Sequence, residues 1–233
     1  DPKYVGEIFD KVLLPRISTD RGRRRLSADE AALRVRRLNI VAHCHGAYTA
    51  LRLEEMMQEK MKELGYTPAE RRQVQKQLLI MAQSPYCPLG QSQSTFVSFA
   101  SVLDDEVSHY NNFEAAIRKI NARREIPPCY FPGRQGLFLV GSMGKDMDQH
   151  NFWGFHPSPE MSREGQALAT LAAKVLINGV MTASEPIPSI ENLAADTAES
   201  RRLFRVMETN GREIYRQITA ESVALHCRKN EER

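Results

Sequence analysis

The run Leu38-Asn39-Ile40-Val41-Ala42-His43-Cys44-His45-Gly46-Ala47-Tyr48 constrains this chain more than any other segment. Its first half is apolar and reads as an extended strand, and a long helical pattern begins straight after Gly46. The backbone therefore has to turn from strand into helix across Cys44 and its neighbours. Small side chains at Ala42 and Gly46 suit so tight a turn, because it brings flanking backbone into contact and bulky groups there would clash. The side chain at such a turn is held out from the sheet, and here it is a thiol.

The segments around this run alternate between helix and strand. Residues 3–14 read as an amphipathic helix with Val5, Ile8, Phe9 and Val12 or Leu13 on one side. Ser27-Ala28-Asp29-Glu30 has the form of a capping box, with Ser27 placed to accept from the Glu30 amide. The helix it opens ends near Arg37, directly before the strand at 38–42. A second helix runs from Ala47 to about Leu64 and stops at Gly65, and a short one follows Thr67-Pro68. Further strands are expected at Leu78–Ala82, Phe96–Phe99 and Leu137–Val140, with helices at Asn112–Asn121 and Arg163–Asn178. The segment 124–135, broken by Pro127, Pro128, Pro132 and Gly133, reads as irregular. This alternation implies an α/β fold with a parallel sheet flanked by helices. Residues 1–185 form the main unit, with a basic helical segment at 1–37, and 186–233 form a charged helical extension.

Composition narrows the class. The chain has 233 residues, and no apolar run approaches the length of about 18 that a membrane helix needs. The first residues do not resemble a signal peptide. Cys44, Cys87, Cys129 and Cys227 show no C-x-x-C pairing, which points to a reduced setting: the cytoplasm, or the inside of a cell into which the protein is delivered. A net charge of +3 is too small to argue for nucleic acid. That charge is concentrated at residues 16–37, where eight arginines face three acids. Arg21-Gly22-Arg23-Arg24-Arg25 suits phosphate or an anionic membrane surface, and the blander alternative, a solvated loop before a helix, is favoured.

Ala42-x-Cys44-x-Gly46 resembles the nucleophile elbow of the α/β-hydrolase superfamily, in the variant with alanine at the first small position and cysteine as nucleophile. The order Cys44, Asp104-Asp105, His150 also matches the nucleophile, acid, histidine order of that fold's triad, and the likeness covers about residues 38–180. Asp104-Asp105-Glu106-Val107 resembles the D-x-x-V acid turn, which makes Asp104 the expected acid and Asp105 the reserve. Asp148-Gln149-His150-Asn151-Phe152-Trp153 resembles the histidine loop, so His150 is the expected base and His156 the reserve. The resemblance implies that the His45 backbone N–H donates to the oxyanion. It also implies a hydrolase or acyltransferase acting on an ester or thioester through a covalent thioester, without a cofactor.

Metal binding by His43-Cys44-His45 is the rival explanation. In an extended strand, side chains 43 and 45 would face away from 44, and no second ligand cluster completes a site. Gly141-Ser142-Met143-Gly144-Lys145 lacks the spacing of a phosphate-binding P-loop.

The family usually has four strands before the elbow, and a loop there gives the second oxyanion donor. Only 43 residues precede Cys44. The chain is then expected to be a piece of a longer protein or a reduced relative, with its sheet edge covered by the N-terminal helices, a second subunit or another chain. The alternative function is a non-catalytic hydrolase-like module that binds a protein or lipid partner.

Overall fold

A computed structural model describes residues 2–87, 91–104, 127–131, 136–151, 158–181, 192 and 197–231. The chain starts with α1 (Pro2–Ile8), a π-helical segment (Phe9–Leu13) and α2 (Leu14–Ile17), which form one longer helical stretch than the sequence suggests. The basic run is not a loop. It makes a two-stranded antiparallel ribbon, β1 (Ser18–Thr19) with β2 (Arg24–Arg25), whose turn holds Asp20 and Arg21 in left-handed backbone. Part of its charge is committed to structure. Arg25 pairs with Glu70 at 2.5 Å and lies over the Tyr66 ring, while Arg36 donates to Gln77 and Arg34 to Glu30.

Next come α3 (Ala28–Arg36), β3 (Asn39–His43), α4 (Gly46–Glu63), α5 (Pro68–Gln75), β4 (Leu79–Gln83) and β5 (Thr95–Ser101). They are followed by β6 (Cys129–Phe131), β7 (Leu137–Val140), α6 (Arg163–Met181) and α7 (Ala198–Glu231). Ser27 caps α3 by accepting from the Glu30 amide, as its sequence implies, and Thr67 forms a full capping box on α5. Caps of this kind stabilise by about 1 kcal/mol each.

The main sheet has the order β3-β4-β5-β7-β6, with β3, β4, β5 and β7 parallel and β6 antiparallel to β7. The strand β6 lies in the segment that reads as irregular from its prolines. Cys129, Tyr130 and Phe131 are all buried, and at the border of a sheet prolines can flank a strand because one side needs no ladder partner. The helix expected at Asn112–Asn121 lies outside the described residues.

Alternation along the strands builds two cores. Ile80, Ala82 and Phe96 face α3, α4 and α5, together with Phe9 and Leu13 of the N-terminal stretch. Leu79, Met81, Val97, Phe99 and Phe138 face the opposite side, against Leu168, Ala172 and Val175 of α6 and Phe204 and Met207 of α7. The methionines of α4 and β4 belong to these cores: Met57, Met61 and Met81 are buried. On α7, Phe204 packs on Tyr130 with ring centroids 4.7 Å apart, and a Cβ at Gly211 would run into the Tyr130 carbonyl oxygen. The charged extension is thus docked on β6 through a helix-to-strand approach that only glycine permits.

The register fixes where the site lies. His43 pairs with Gln83, Gln83 with Phe99, and Ser101 with Val140. The parallel strands therefore end together, and the segments leaving them meet along one sheet edge, which is where open α/β sheets place ligands.

Candidate active site

Cys44 follows the last residue of β3 and has φ of 50°. Left-handed backbone at a residue with a Cβ costs roughly 1–2 kcal/mol. The turn is held by three backbone bonds. The Cys44 amide donates to Gln83 O at 3.1 Å, and the Cys44 carbonyl accepts from Ala47 N and Tyr86 N at 3.0 and 3.1 Å. His45 is the N-cap of α4, so its N–H belongs to the amides that helical carbonyls do not reach. The glycine at 46 is looser than an elbow requires. A Cβ there would meet Ala42 Cβ at 3.7 Å, an ordinary contact, so alanine fits.

Asp104 and His150 come together. Asp104, 2% exposed, sits beyond the end of β5, and its two carboxylate oxygens lie 3.0 and 3.1 Å from His150 Nδ1. A carboxylate can only accept here, so Nδ1 carries a proton, which in a neutral imidazole makes Nε2 the acceptor nitrogen. The His150 ring lies against that of His43, centroids 4.9 Å apart, and His43 Nε2–H donates to the His150 carbonyl at 3.0 Å. The predicted acid and base are therefore in contact with one another and beside the residue that precedes Cys44. Asp105 and His156 lie outside the described residues.

Several residues that organise this site give no signal in the sequence. Gln149 holds the histidine loop by all four of its amide bonds: Nε2 donates to Gly144 O and Met147 O, and Oε1 accepts from Met143 N and Ser101 Oγ. Asp148 Oδ2 accepts from the Asn151 side-chain amide and Oδ1 from the Asn151 and His150 backbone amides, and those bonds, in that order, keep its carboxyl below the usual range. With Met143 buried and its amide bonded to Gln149, the Gly141–Lys145 stretch is a brace for the histidine loop. Ser84 follows β4 with φ of 44°, and its buried Oγ has no hydrogen-bond partner among the described residues. Tyr86, two residues on, lies tilted against the His45 ring with centroids 4.2 Å apart.

The expectation that His43 and His45 face away from Cys44 fails for His45. Its Nδ1 lies 3.2 Å from Cys44 Sγ. Strand alternation ends at His43, and left-handed backbone at Cys44 turns its side chain toward the following residue. The described residues contain no group of three or more side chains able to hold a metal ion. Of the other thiols, Cys87 and Cys129 are buried, which pushes Cys87 up to about 12 and Cys129 up further. Cys44 is half-buried. The chain matches no model of a known protein family and no curated protein.

Proposed function

We propose that this is an acyl-transfer site of α/β-hydrolase type, in which Cys44 attacks an ester or thioester carbonyl and carries the acyl group as a thioester. One observation carries the proposal: a thiol on left-handed backbone at a strand-to-helix turn shares a sheet edge with a pair formed by buried Asp104 and half-buried His150. The order of elbow, acid and histidine after neighbouring parallel strands supports the likeness to the second half of that fold. The thiolate is the reactive form, and the N-terminus of the 18-residue α4 favours negative charge at Cys44.

In this mechanism the thiolate adds to the carbonyl carbon, and the His45 amide donates to the resulting oxyanion. Collapse expels the alcohol or thiol, which receives a proton, and leaves the acyl group on Sγ. His150 Nε2 then takes a proton from water as it attacks the thioester, while Asp104 keeps the imidazole in the required tautomer and balances its charge. Breakage of the C–S bond frees the acid and restores the thiol.

Among the described residues β3 pairs only with β4, and Val41 on it is 51% exposed. A groove of about 440 Å³ runs along β3 between it and the N-terminal helix, reaching His43 and Gly46 at the elbow. A chain segment or subunit laid against β3 is the proposed source of a second oxyanion donor.

The test is turnover of p-nitrophenyl esters and acyl thioesters, with mass spectrometry of the trapped acyl-enzyme. The acyl group is expected on Cys44 and not on Cys87 or Cys129, and Cys44→Ala abolishes both signals. No acylation and no turnover would leave the alternative, a hydrolase-like module that binds a partner without catalysis.

A further inference from the structure

We infer that His45 is a second catalytic residue, whose Nδ1 accepts the Cys44 thiol proton and holds the cysteine at rest as a thiolate–imidazolium pair. The inference rests on Cys44 being the nucleophile. It separates two tasks that a single histidine performs in a serine triad. His45 prepares the nucleophile and passes that proton to the leaving group, and the Asp104-bound His150 serves the attacking water.

The geometry supports this division. Sγ and Nδ1 are 3.2 Å apart, within the range of a sulfur hydrogen bond. The imidazole is not a free rotor, because the Tyr86 ring lies on it at 4.2 Å with planes 37° apart. Tyr86 is itself tied to the turn, since its amide donates to the Cys44 carbonyl. The same short segment therefore fixes both the backbone beneath the thiol and the ring beside it. Among the described residues, the titratable groups against His45 are the Cys44 thiol and the Tyr86 phenol.

An ordinary thiol holds its proton about a hundredfold more tightly than an ordinary imidazole, with pKa values of about 8.5 and 6.5. Two influences act against that preference here. The α4 N-terminus stabilises the thiolate, and an imidazolium at contact distance stabilises it further. The proton balance is simple. The S–H proton passes to Nδ1, the thiolate attacks, and the proton leaves with the expelled alcohol or thiol. Water supplies the proton that later restores the thiol, and no outside oxidant or reductant enters.

The decisive measurement is the pH titration of ultraviolet thiolate absorbance, taken as the difference between the protein and Cys44→Ala. Buried Cys87 and Cys129 stay silent in that difference. The midpoint is expected about one pH unit or more below 8.5. His45→Ala and His45→Gln should raise it by a similar amount, Tyr86→Leu by less, and His150→Gln should leave it in place. His45 is exposed, so these variants keep the core intact.

Acylation by a p-nitrophenyl ester gives an independent readout. In His45→Ala the burst at neutral pH should slow about tenfold and recover at alkaline pH, where the thiol ionises unaided. His150→Gln should still give a burst but not release its acyl group. A midpoint that ignores His45 and rises in His150→Gln would overturn the inference while leaving the acyl-transfer proposal standing. Undiminished ester turnover by Cys44→Ala would instead overturn that proposal itself.

Discussion

Cys44 and Ser84 end adjacent parallel strands, and both have left-handed backbone. Such conformations collect where the surrounding structure over-determines them. Here the bonds from Cys44 N to Gln83 O and from Tyr86 N to Cys44 O lace the two strand ends together. The placing of Cys44, Asp104 and His150 at one sheet edge was legible in the sequence, because each follows an apolar strand and parallel strands deliver such positions together. The His45–Cys44 contact was not legible. Period-two alternation predicts the opposite, and only the sign of φ at Cys44 reverses it. Asp104→Asn is expected to cut acyl turnover on the order of 10⁴-fold, since an amide no longer selects the Nδ1–H tautomer of His150. Steady-state kinetics check this, and His150→Ala in the same background should cost little more if the two residues act as a unit.

At the scale of elements, the loops are set by single polar side chains. Gln149 is half-buried and fully bonded, so Gln149→Ala takes away the acceptor of Met143 N–H and one of the bonds of Ser101 Oγ, and frees the loop that carries His150. Thermal unfolding should register a loss of about 1–3 kcal/mol, and turnover should fall with it. Glu54, 4% exposed on α4, accepts from Ser92 Oγ, Ser94 N and Gln93 N, and so ties the approach to β5 onto the helix that starts at the elbow. Burial raises its pKa above 4.5, against the pull of those bonds. A carboxyl raised on folding is held more easily as the neutral acid, so its contribution to stability declines as pH rises from its unfolded value through its folded one. Urea denaturation should show that decline above about pH 4.5. Glu54→Gln, which has nothing to ionise, should flatten it. Neither clamp was legible, because a lone Gln or Glu in a polar sequence looks like surface until the fold buries it. The strand β6 was hidden for a related reason. Proline near it argues against a central strand but is compatible with a border strand, and the sequence does not reveal the strand order.

The whole molecule is a sheet sandwiched between two helical layers, with α7 closing one border over β6. Three-layer α/β architecture follows from the alternation of helical and apolar strand patterns. That β3 stands at the other border of the sheet among the described residues follows from pairing, which is a property of the folded chain. A border strand has one ladder where its inner neighbours have two, so it is released by breaking half as many bonds. Amide exchange should accordingly run faster along Asn39–His43 than along Leu79–Gln83 or Thr95–Ser101, and mass-resolved exchange of the native protein measures it. The proposed nucleophile, Cys44, therefore rides on the part of the sheet expected to detach first. Warming should silence it several degrees before the helices melt, so that loss of activity and loss of ellipticity trace two separate curves.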